Sequence, residues 1–265
     1  VEQYGILGGA ITVGGVPYPM NFAAAGRQVV AGIGLELIER LLRAGWARGK
    51  GKPPYGGYTV DIVMTACEID RMIKEAGVEL LLNCKLCEVK ADDEKIISAK
   101  VAGPEGLIEL SAERWIDATG DGQLSALAGA DFEMGDPKTG ELQPGSLSFW
   151  MDGYQVNTMD EEDIQEAYWQ AREKGLIQVG DYYGDMAWRI VDLFAGHGLN
   201  KNHVEMQDVS AKSRTAASLE GRERIYRIMN WAKNDIKTTS GIYGAMICPE
   251  AWARETRRIL GIEYV

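Results

Sequence analysis

One stretch constrains the fold of this chain more than any other: residues 115–130, which read WIDATGDGQLSALAGA. Its apolar start predicts a buried strand, Gly120 and Gly122 predict a tight turn, and a helical pattern begins near Gln123. In open α/β sheets, ligands bind beyond the carboxyl ends of the strands, where backbone amides and helix N-termini can face a phosphate. The stretch therefore predicts a ligand-binding edge.

A second stretch of similar character covers residues 1–16, VEQYGILGGAITVGGV. Glu2 is followed by the glycine pairs Gly8-Gly9 and Gly14-Gly15. A carboxylate at the end of a strand can accept hydrogen bonds from ribose hydroxyls, and glycines let the main chain approach a bulky ligand. The spacing alone leaves a plainer alternative open, in which Glu2 is solvated and the glycines only form turns.

The first half of the chain mixes helical and strand-like patterns. Apolar spacing predicts helices over 33–45 and 60–76, each followed or ended by a glycine. The continuous apolar run at 78–83 predicts a strand buried on both faces, as in a parallel sheet. Three alternating segments then predict a three-stranded antiparallel meander, at 84–90, 96–101 and 107–110.

The texture of the sequence changes from about residue 141. A strand-like segment at 146–151 is followed by an acidic helix over 160–174, irregular aromatic-rich segments, and a long helix over 210–233. We therefore predict two domains. The first spans 1–140 and returns at 256–265, and the second, an α+β domain, spans 141–255.

Charge and composition exclude several classes of function. The formal net charge of −11 argues against nucleic-acid binding, which needs a basic surface. No run approaches the roughly 20 apolar residues that cross a bilayer, so we expect no membrane partner. Four irregularly spaced cysteines suggest a reducing compartment, and we expect a cytoplasmic protein. Cys84 and Cys87 fit small buried residues better than a metal site, and no metal site is predicted.

Three groups of side chains are candidates for a functional role. The two histidines, His197 and His203, lie in a polar loop, where one could hold a proton or simply be solvated. A cluster of arginines near the end could bind an anion, or pair with neighbouring glutamates at 250, 255 and 263: Arg254, Arg257 and Arg258. Four aromatic residues could line a pocket, although packing is the favoured interpretation: Tyr182, Tyr183, Trp188 and Phe194.

Taken in order, these segments resemble the FAD-dependent oxidoreductase family. The similarity rests on the segments at 1–16, 30–41, 68–86 and 115–136, on LQPGSLSF at 142–149, and on RETRRILG at 254–261. It implies a partial glutathione-reductase-like FAD-binding domain, in which a parallel sheet accompanies the antiparallel meander, and a separate substrate domain. It also implies FAD as cofactor and hydride transfer between the flavin and a small organic substrate.

The resemblance further implies roles for individual residues. Glu2, with Gln3 beside it, would hold the adenosine ribose. The other residues implied to contact the cofactor are Gly8, Gly9 and Thr12 at the pyrophosphate and flavin, Leu86 and Cys87 at the adenine, and Ala118, Thr119, Gly120 and Asp121 at the strand end. Arg254, Arg257 and His203 would be catalytic.

The chain departs from the family pattern at both ends. A strand and a GxGxxG turn precede the ribose-binding acid in the family, and they are not found before Glu2 here; nor is the closing flavin-binding segment found. We therefore expect an internal fragment, inactive alone and weak in FAD binding. The alternative is a non-catalytic binding or assembly subunit, a homo-oligomer or one completed by a partner chain that carries the GxGxxG unit.

Overall fold

The computed structural model describes residues 1–92, 95–182 and 189–262. It divides the chain into two compact units, each of which is described by itself. Unit 1 comprises Val1–Val13, Pro17–Glu141 and Glu255–Val265, and unit 2 comprises Gly14–Val16 and Leu142–Arg254. Both units are mixtures of helices and short strands.

The helices of the described residues are α1 (Ile33–Arg43), α2 (Ile62–Glu75), α3 (Gln123–Leu127), α4 (Glu161–Glu173), α5 (Val191–Ala195) and α6 (Ala211–Asp235). The strands are β1 (Ala23–Ala24), β2 (Arg27–Gln28), β3 (Ala47–Gly49), β4 (Tyr58–Val60), β5 (Lys85–Ala91), β6 (Ile96–Gly103), β7 (Gly106–Leu110), β8 (Phe132–Glu133), β9 (Gly145–Ser146), β10 (Phe149–Asp152), β11 (Gly198–Leu199), β12 (His203–Val204), β13 (Tyr243–Ile247) and β14 (Arg258–Ile259).

The predicted helices of unit 1 are confirmed as α1 and α2. α2 begins after Asp61, whose side chain accepts a hydrogen bond from the Met64 amide, and ends before Gly77, which has a φ of 67°. The apolar face of α1 packs on the β3–β4 hairpin in a core that contains Phe22, Ile38, Leu41, Tyr58 and Val60. Burial of that face holds the two elements together.

The predicted meander is also confirmed. β5 pairs with β6 and β6 with β7, both antiparallel, and the residues of β6 at Ala99 and Val101 are buried. Ala99 and Val101 are two residues apart and therefore lie on one face of the strand, and the opposite face is covered at Ser98, which is also buried.

The predicted parallel sheet is wrong for the described residues, in which every strand pair is antiparallel. The apolar run at 78–83 is not a strand, and Ile116 in the second predicted strand is 88% exposed. A buried parallel strand needs a hydrogen-bonded neighbour on both sides. Residues 81–84 make three backbone hydrogen bonds with residues 2–4, too few and too irregular for a ladder.

Unit 2 is built around a large aromatic and aliphatic core. α4 begins at Asp160, whose carboxylate accepts from the Glu162 and Asp163 amides, and α6 begins at Ser210. Tyr182 and Phe194 are buried in the core, so the packing interpretation of these two aromatics is confirmed. Tyr183 and Trp188 lie outside the described residues.

None of the helices in the described part of the chain is long and apolar enough to cross a membrane.

Candidate functional site

The glycine turn of unit 1 is organised by one carboxylate. Asp117 accepts hydrogen bonds from the amide and hydroxyl of Thr119 at one oxygen, at 3.1 and 2.7 Å, and from the amide and hydroxyl of Ser125 at the other, at 2.9 and 2.8 Å. The Thr119 hydroxyl in turn accepts the Gln123 amide at 2.9 Å. These bonds fix residues 117–125 as one rigid turn that leads into α3.

The charge state of Asp117 follows from these contacts. Burial raises the pKa of its carboxyl, but hydrogen bonds from Thr119 and Ser125 outweigh burial, so the pKa lies below its ordinary value. Asp117 is therefore ionised at neutral pH, and its negative charge is satisfied by donors of the turn.

Two neighbouring segments hold this turn in place. The side-chain amide of Gln123 donates to the Leu86 carbonyl in β5 at 3.3 Å. From the other side, the Thr256 hydroxyl donates to the Gly120 carbonyl at 3.3 Å, and Arg257 donates to the Asp121 carbonyl at 3.1 Å. The structure thus brings together the predicted adenine segment, the predicted cofactor turn and the predicted returning segment.

The turn leaves its tip accessible. Ala118, Thr119 and Gly120 are exposed. Gly120 has a φ of 75°, and a Cβ added there would have no heavy atom within 4 Å. A ligand can therefore approach the main chain at Gly120 without displacing a side chain.

The backbone of Glu2 is hydrogen-bonded to residues 81–84, the segment that leads into β5. Its amide donates to the Leu81 carbonyl, and its carbonyl accepts from the Cys84 amide at 2.9 Å. One carboxylate oxygen accepts the Tyr4 amide at 2.9 Å. Burial raises the pKa of the Glu2 carboxyl, and a hydrogen bond from the Gln3 backbone partly opposes it. Gln3 itself is exposed.

The first glycine pair forms a tight loop. Gly8 has a φ of 108°, and a Cβ there would lie 2.6 Å from Cγ2 of Thr12, so the loop requires glycine. Thr12 is 4% exposed and its hydroxyl donates to the Leu7 carbonyl at 2.6 Å. Gly9, with a φ of 50°, borders open space. Gly9 is thus the accessible member of the predicted set, whereas the Thr12 hydroxyl is engaged within the loop.

The cysteines near β5 differ in exposure. Cys84 is buried, whereas Cys87 and Cys67 are exposed, and all are free thiols. The interpretation of Cys84 as a small buried residue is confirmed, and the same interpretation of Cys87 is wrong. Cys87 lies in β5, on an open part of the meander surface.

A polar row crosses the β9–β12 sheet of unit 2. His203 pairs directly with Ser146, and Ser146 pairs on its other side with Trp252 through backbone hydrogen bonds of 2.9 and 2.8 Å. Directly opposed residues of antiparallel strands project to the same face. The adjacent pair, Val204 and Gly145, faces the opposite side, where Val204 is fully buried in the core. His203, Ser146 and Trp252 therefore share the face away from that core.

Arg254 lies two residues after Trp252 in the sequence, and its positive charge affects the pKa of His203. Burial lowers the pKa of the His203 ring, the positive charge of Arg254 lowers it further, and a hydrogen bond with the Asn200 backbone acts in the opposite direction. Arg224 fixes the backbone, because its guanidinium donates to the carbonyls of Gly180 and His203 at 2.7 and 2.5 Å. His203 is consequently held neutral near pH 7.

The other candidates for catalysis occupy structural positions. Arg257 spans from the Asp121 carbonyl to the face of Phe132, 5.4 Å from the ring centroid. Arg258 pairs with Glu255 and donates to the Gly135 carbonyl, which confirms one predicted arginine–glutamate pair. Glu263 lies outside the described residues. The His197 ring donates from Nδ1 to the Met151 carbonyl at 3.0 Å and stacks on Tyr154.

Sequence reasoning missed two residues of these sites. Asp117 lies within the glycine-containing stretch 115–130, and its spacing to Thr119 and Ser125 is the signal that indicates a capping carboxylate. Ser146 carried no local signal, because its neighbours in space, His203 and Trp252, are distant along the chain.

A comparison with protein families gives the family of the chain. The family model described as FAD dependent oxidoreductase matches residues 1–265. The chain belongs to this family. No curated protein sequence matches it. FAD is the cofactor of this family, and oxidoreduction is its general activity.

The described residues fit FAD at the edge of unit 1. Gly9 and Gly120 both have positive φ and border open space that a Cβ would occupy. The amides of Ala118 and Gly120 lie in an exposed turn that can face a phosphate, and Glu2 presents a half-buried carboxylate, one oxygen of which accepts the Tyr4 amide.

Proposed function

We propose that this chain is the cofactor-binding and substrate-binding part of an FAD-dependent oxidoreductase that transfers hydride between the flavin and a small organic substrate. When bound, FAD supplies the hydride chemistry. In unit 1, Glu2 holds the ribose, Gly9 and the 118–120 turn receive the phosphates, and Leu86 and Cys87 border the adenine. In unit 2, His203 and Arg254 serve the substrate.

The observation that carries this proposal is the hydrogen bond between Gln123 and Leu86. It joins two segments, β5 and the turn before α3, that the family resemblance assigns to one cofactor. Family membership over residues 1–265 gives the reaction class, and this contact supports a particular surface for the cofactor.

His203 and Arg254 have complementary roles in the proposed reaction. A histidine that is neutral near pH 7 can take up a proton at its ring, and a neighbouring guanidinium can orient an anionic group by two parallel hydrogen bonds. We assign proton holding to His203 and orientation to Arg254. Arg257 is assigned a positioning role, because it holds the Asp121 carbonyl.

A pair of glycine variants tests the cofactor surface. Gly120→Ala introduces a Cβ at the proposed phosphate turn, whereas Gly175→Ala introduces one at the end of α4. Both glycines have positive φ, 75° and 72°, and neither has a heavy atom within 4 Å of the added Cβ, so the backbone strain is matched.

The expected result is a loss of FAD affinity of about tenfold in Gly120→Ala, measured by quenching of FAD fluorescence, with Gly175→Ala equal to the parent protein. Equal affinity in all three proteins would remove the 118–120 turn from the proposed cofactor site.

A second candidate is a non-catalytic subunit completed by a partner chain. The exposure of Ile116 favours it, because extended apolar segments without a paired neighbour invite a strand from another chain. Light scattering discriminates the two. A monodisperse monomer that binds FAD supports the oxidoreductase, whereas a protein that binds FAD only when mixed with a chain carrying GxGxxG supports the subunit.

A further inference from the structure

Arg254 carries an uncompensated positive charge. It is exposed, and no carboxylate within residues 1–92, 95–182 and 189–262 forms an ion pair with it. Nearby arginines differ in this respect, since Arg224 pairs with Glu220 and Arg214 with Glu250. An exposed guanidinium that lacks a protein anion retains its full capacity for a bidentate contact.

A second observation comes from the same row of side chains. Ser146 is 6% exposed, and its hydroxyl has no hydrogen-bond partner among the described residues. Buried hydroxyls are nearly always hydrogen-bonded, because an unsatisfied one costs roughly 1–3 kcal/mol. Ser146 lies between His203 and Trp252 on the face away from the core. Among the described residues, the row thus holds a buried hydroxyl without a partner, and Arg254, two residues beyond Trp252, holds a cation without a carboxylate.

We propose that Arg254, two residues beyond the row of His203, Ser146 and Trp252, forms with that row a site for the carboxylate of a small organic acid. This names the substrate class of the reaction proposed above and rests on that proposal. Arg254 contacts the carboxylate directly. His203 adjoins it as a neutral group, and its Nε2 atom is shielded from solvent.

The chemistry of the row favours a carboxylate over a phosphate. A guanidinium matches a carboxylate in charge and in planar geometry, with two parallel N–H···O bonds. A phosphate dianion carries more charge than one guanidinium neutralises, and the other members of the row, Ser146 and Trp252, are uncharged.

Nuclear magnetic resonance of histidine tests this site without flavin or turnover. The chain contains two histidines, so the ring signal of His203 can be followed through a pH titration of ring-labelled protein. A carboxylate bound at Arg254 cancels the charge that lowers the His203 pKa. Acetate or succinate is therefore expected to move the His203 midpoint upward by about 0.5 pH.

Controls for ionic strength and for the shape of the ligand separate carboxylate binding from the screening of charge by salt. Sodium chloride at the same ionic strength sets the baseline, because screening of Arg254 alone also raises the His203 midpoint. Acetamide, which has the shape of acetate without its charge, is expected to have no effect. Inorganic phosphate is the competing anion.

Three variants assign the effect to Arg254. Arg254→Gln is expected to start with a higher His203 midpoint and to lose the response to acetate. Arg254→Lys is expected to start at the parent midpoint and to need about tenfold more acetate, because it keeps the charge and loses the fork. Arg222→Gln, at an exposed position of α6, is the matched control and is expected to behave as the parent.

Two results would overturn the carboxylate site: no response of His203 beyond the chloride baseline, or an equal response in Arg254→Gln. A response to phosphate without one to acetate or succinate would overturn the substrate class. Each of these outcomes leaves FAD binding untouched, since flavin is absent from the experiment, so failure here is distinct from failure of the proposed cofactor site.

Discussion

Ser125 donates both its backbone amide and its hydroxyl to one carboxylate oxygen of Asp117, at 2.9 and 2.8 Å. This contact, with the matching pair from Thr119, makes the glycine turn a preformed surface. We predict that Asp117→Ala lowers the free energy of unfolding by about 1–2 kcal/mol, after allowance for partial exposure of the site. Urea unfolding measures this free energy, with Glu113→Ala at an exposed position as the control. An equal loss of stability in both variants would contradict a stabilising role for the Asp117 hydrogen bonds.

The same carboxylate predicts a pH dependence. The folded pKa of Asp117 lies below its ordinary value of 3.8, so in the unfolded chain the carboxyl holds its proton to higher pH. Its contribution to stability is therefore complete above that ordinary value and is lost as pH falls through the folded pKa. The difference in stability between the parent and Asp117→Asn should shrink as pH falls from 6 to about 3. A constant difference would contradict the assignment.

A buried ion pair in unit 2 predicts a larger effect. Asp181 is 1% exposed, and Arg227 donates to its two oxygens at 2.8 and 2.7 Å. Asp181→Ala removes the nearer anion of Arg227 and leaves Glu220 at 3.6 Å, and we expect a loss of about 3 kcal/mol in chemical unfolding. Asp192→Ala, which breaks a pair on the surface with Arg189, should change stability little. Similar losses in the two variants would show that burial of Asp181 is unimportant.

The thiols predict a labelling pattern. Burial raises the pKa of Cys248 to about 11, against hydrogen bonds with Ser148, and Cys84 is also buried. At pH 8, a maleimide should modify Cys67 and Cys87 in the native protein and the buried pair only after denaturation. Mass spectrometry of peptides identifies each site. Rapid native labelling of Cys248 would contradict its burial.

FAD should change that pattern at one position. Cys87 borders the proposed adenine surface, whereas Cys67 lies in α2 as an exposed internal control. We expect saturating FAD to slow labelling of Cys87 severalfold and to leave the rate at Cys67 unchanged. Equal rates at Cys87 with and without FAD would place the adenine elsewhere.

Local patterns predicted much of this fold. The helices at α1, α2, α4 and α6 and the meander β5–β7 follow from apolar periodicity and from caps such as Asp61 and Asp160. The pairing of strands did not follow. An apolar run such as 78–83 indicates burial but does not name the neighbours that would complete its hydrogen bonds, and none forms a ladder with it in the described residues.

The candidate sites likewise contain residues that a short segment indicates and residues whose neighbours in space are distant along the chain. Glu2, Gly9 and Gly120 could be named as candidates from the sequence, because family resemblance and glycine chemistry act at the level of short segments. Ser146 was not, since its place beside His203 depends on pairing between distant strands. The structural contacts of Arg257 likewise depend on Asp121, far away along the chain.

The most direct test of the cofactor assignment is the visible spectrum of the protein after incubation with FAD and removal of free flavin. Family membership and the open edge at Gly9 and Gly120 predict that flavin absorbance stays with the protein and that added FAD loses fluorescence on binding. A colourless protein that leaves the fluorescence of FAD unchanged would contradict FAD binding by this chain.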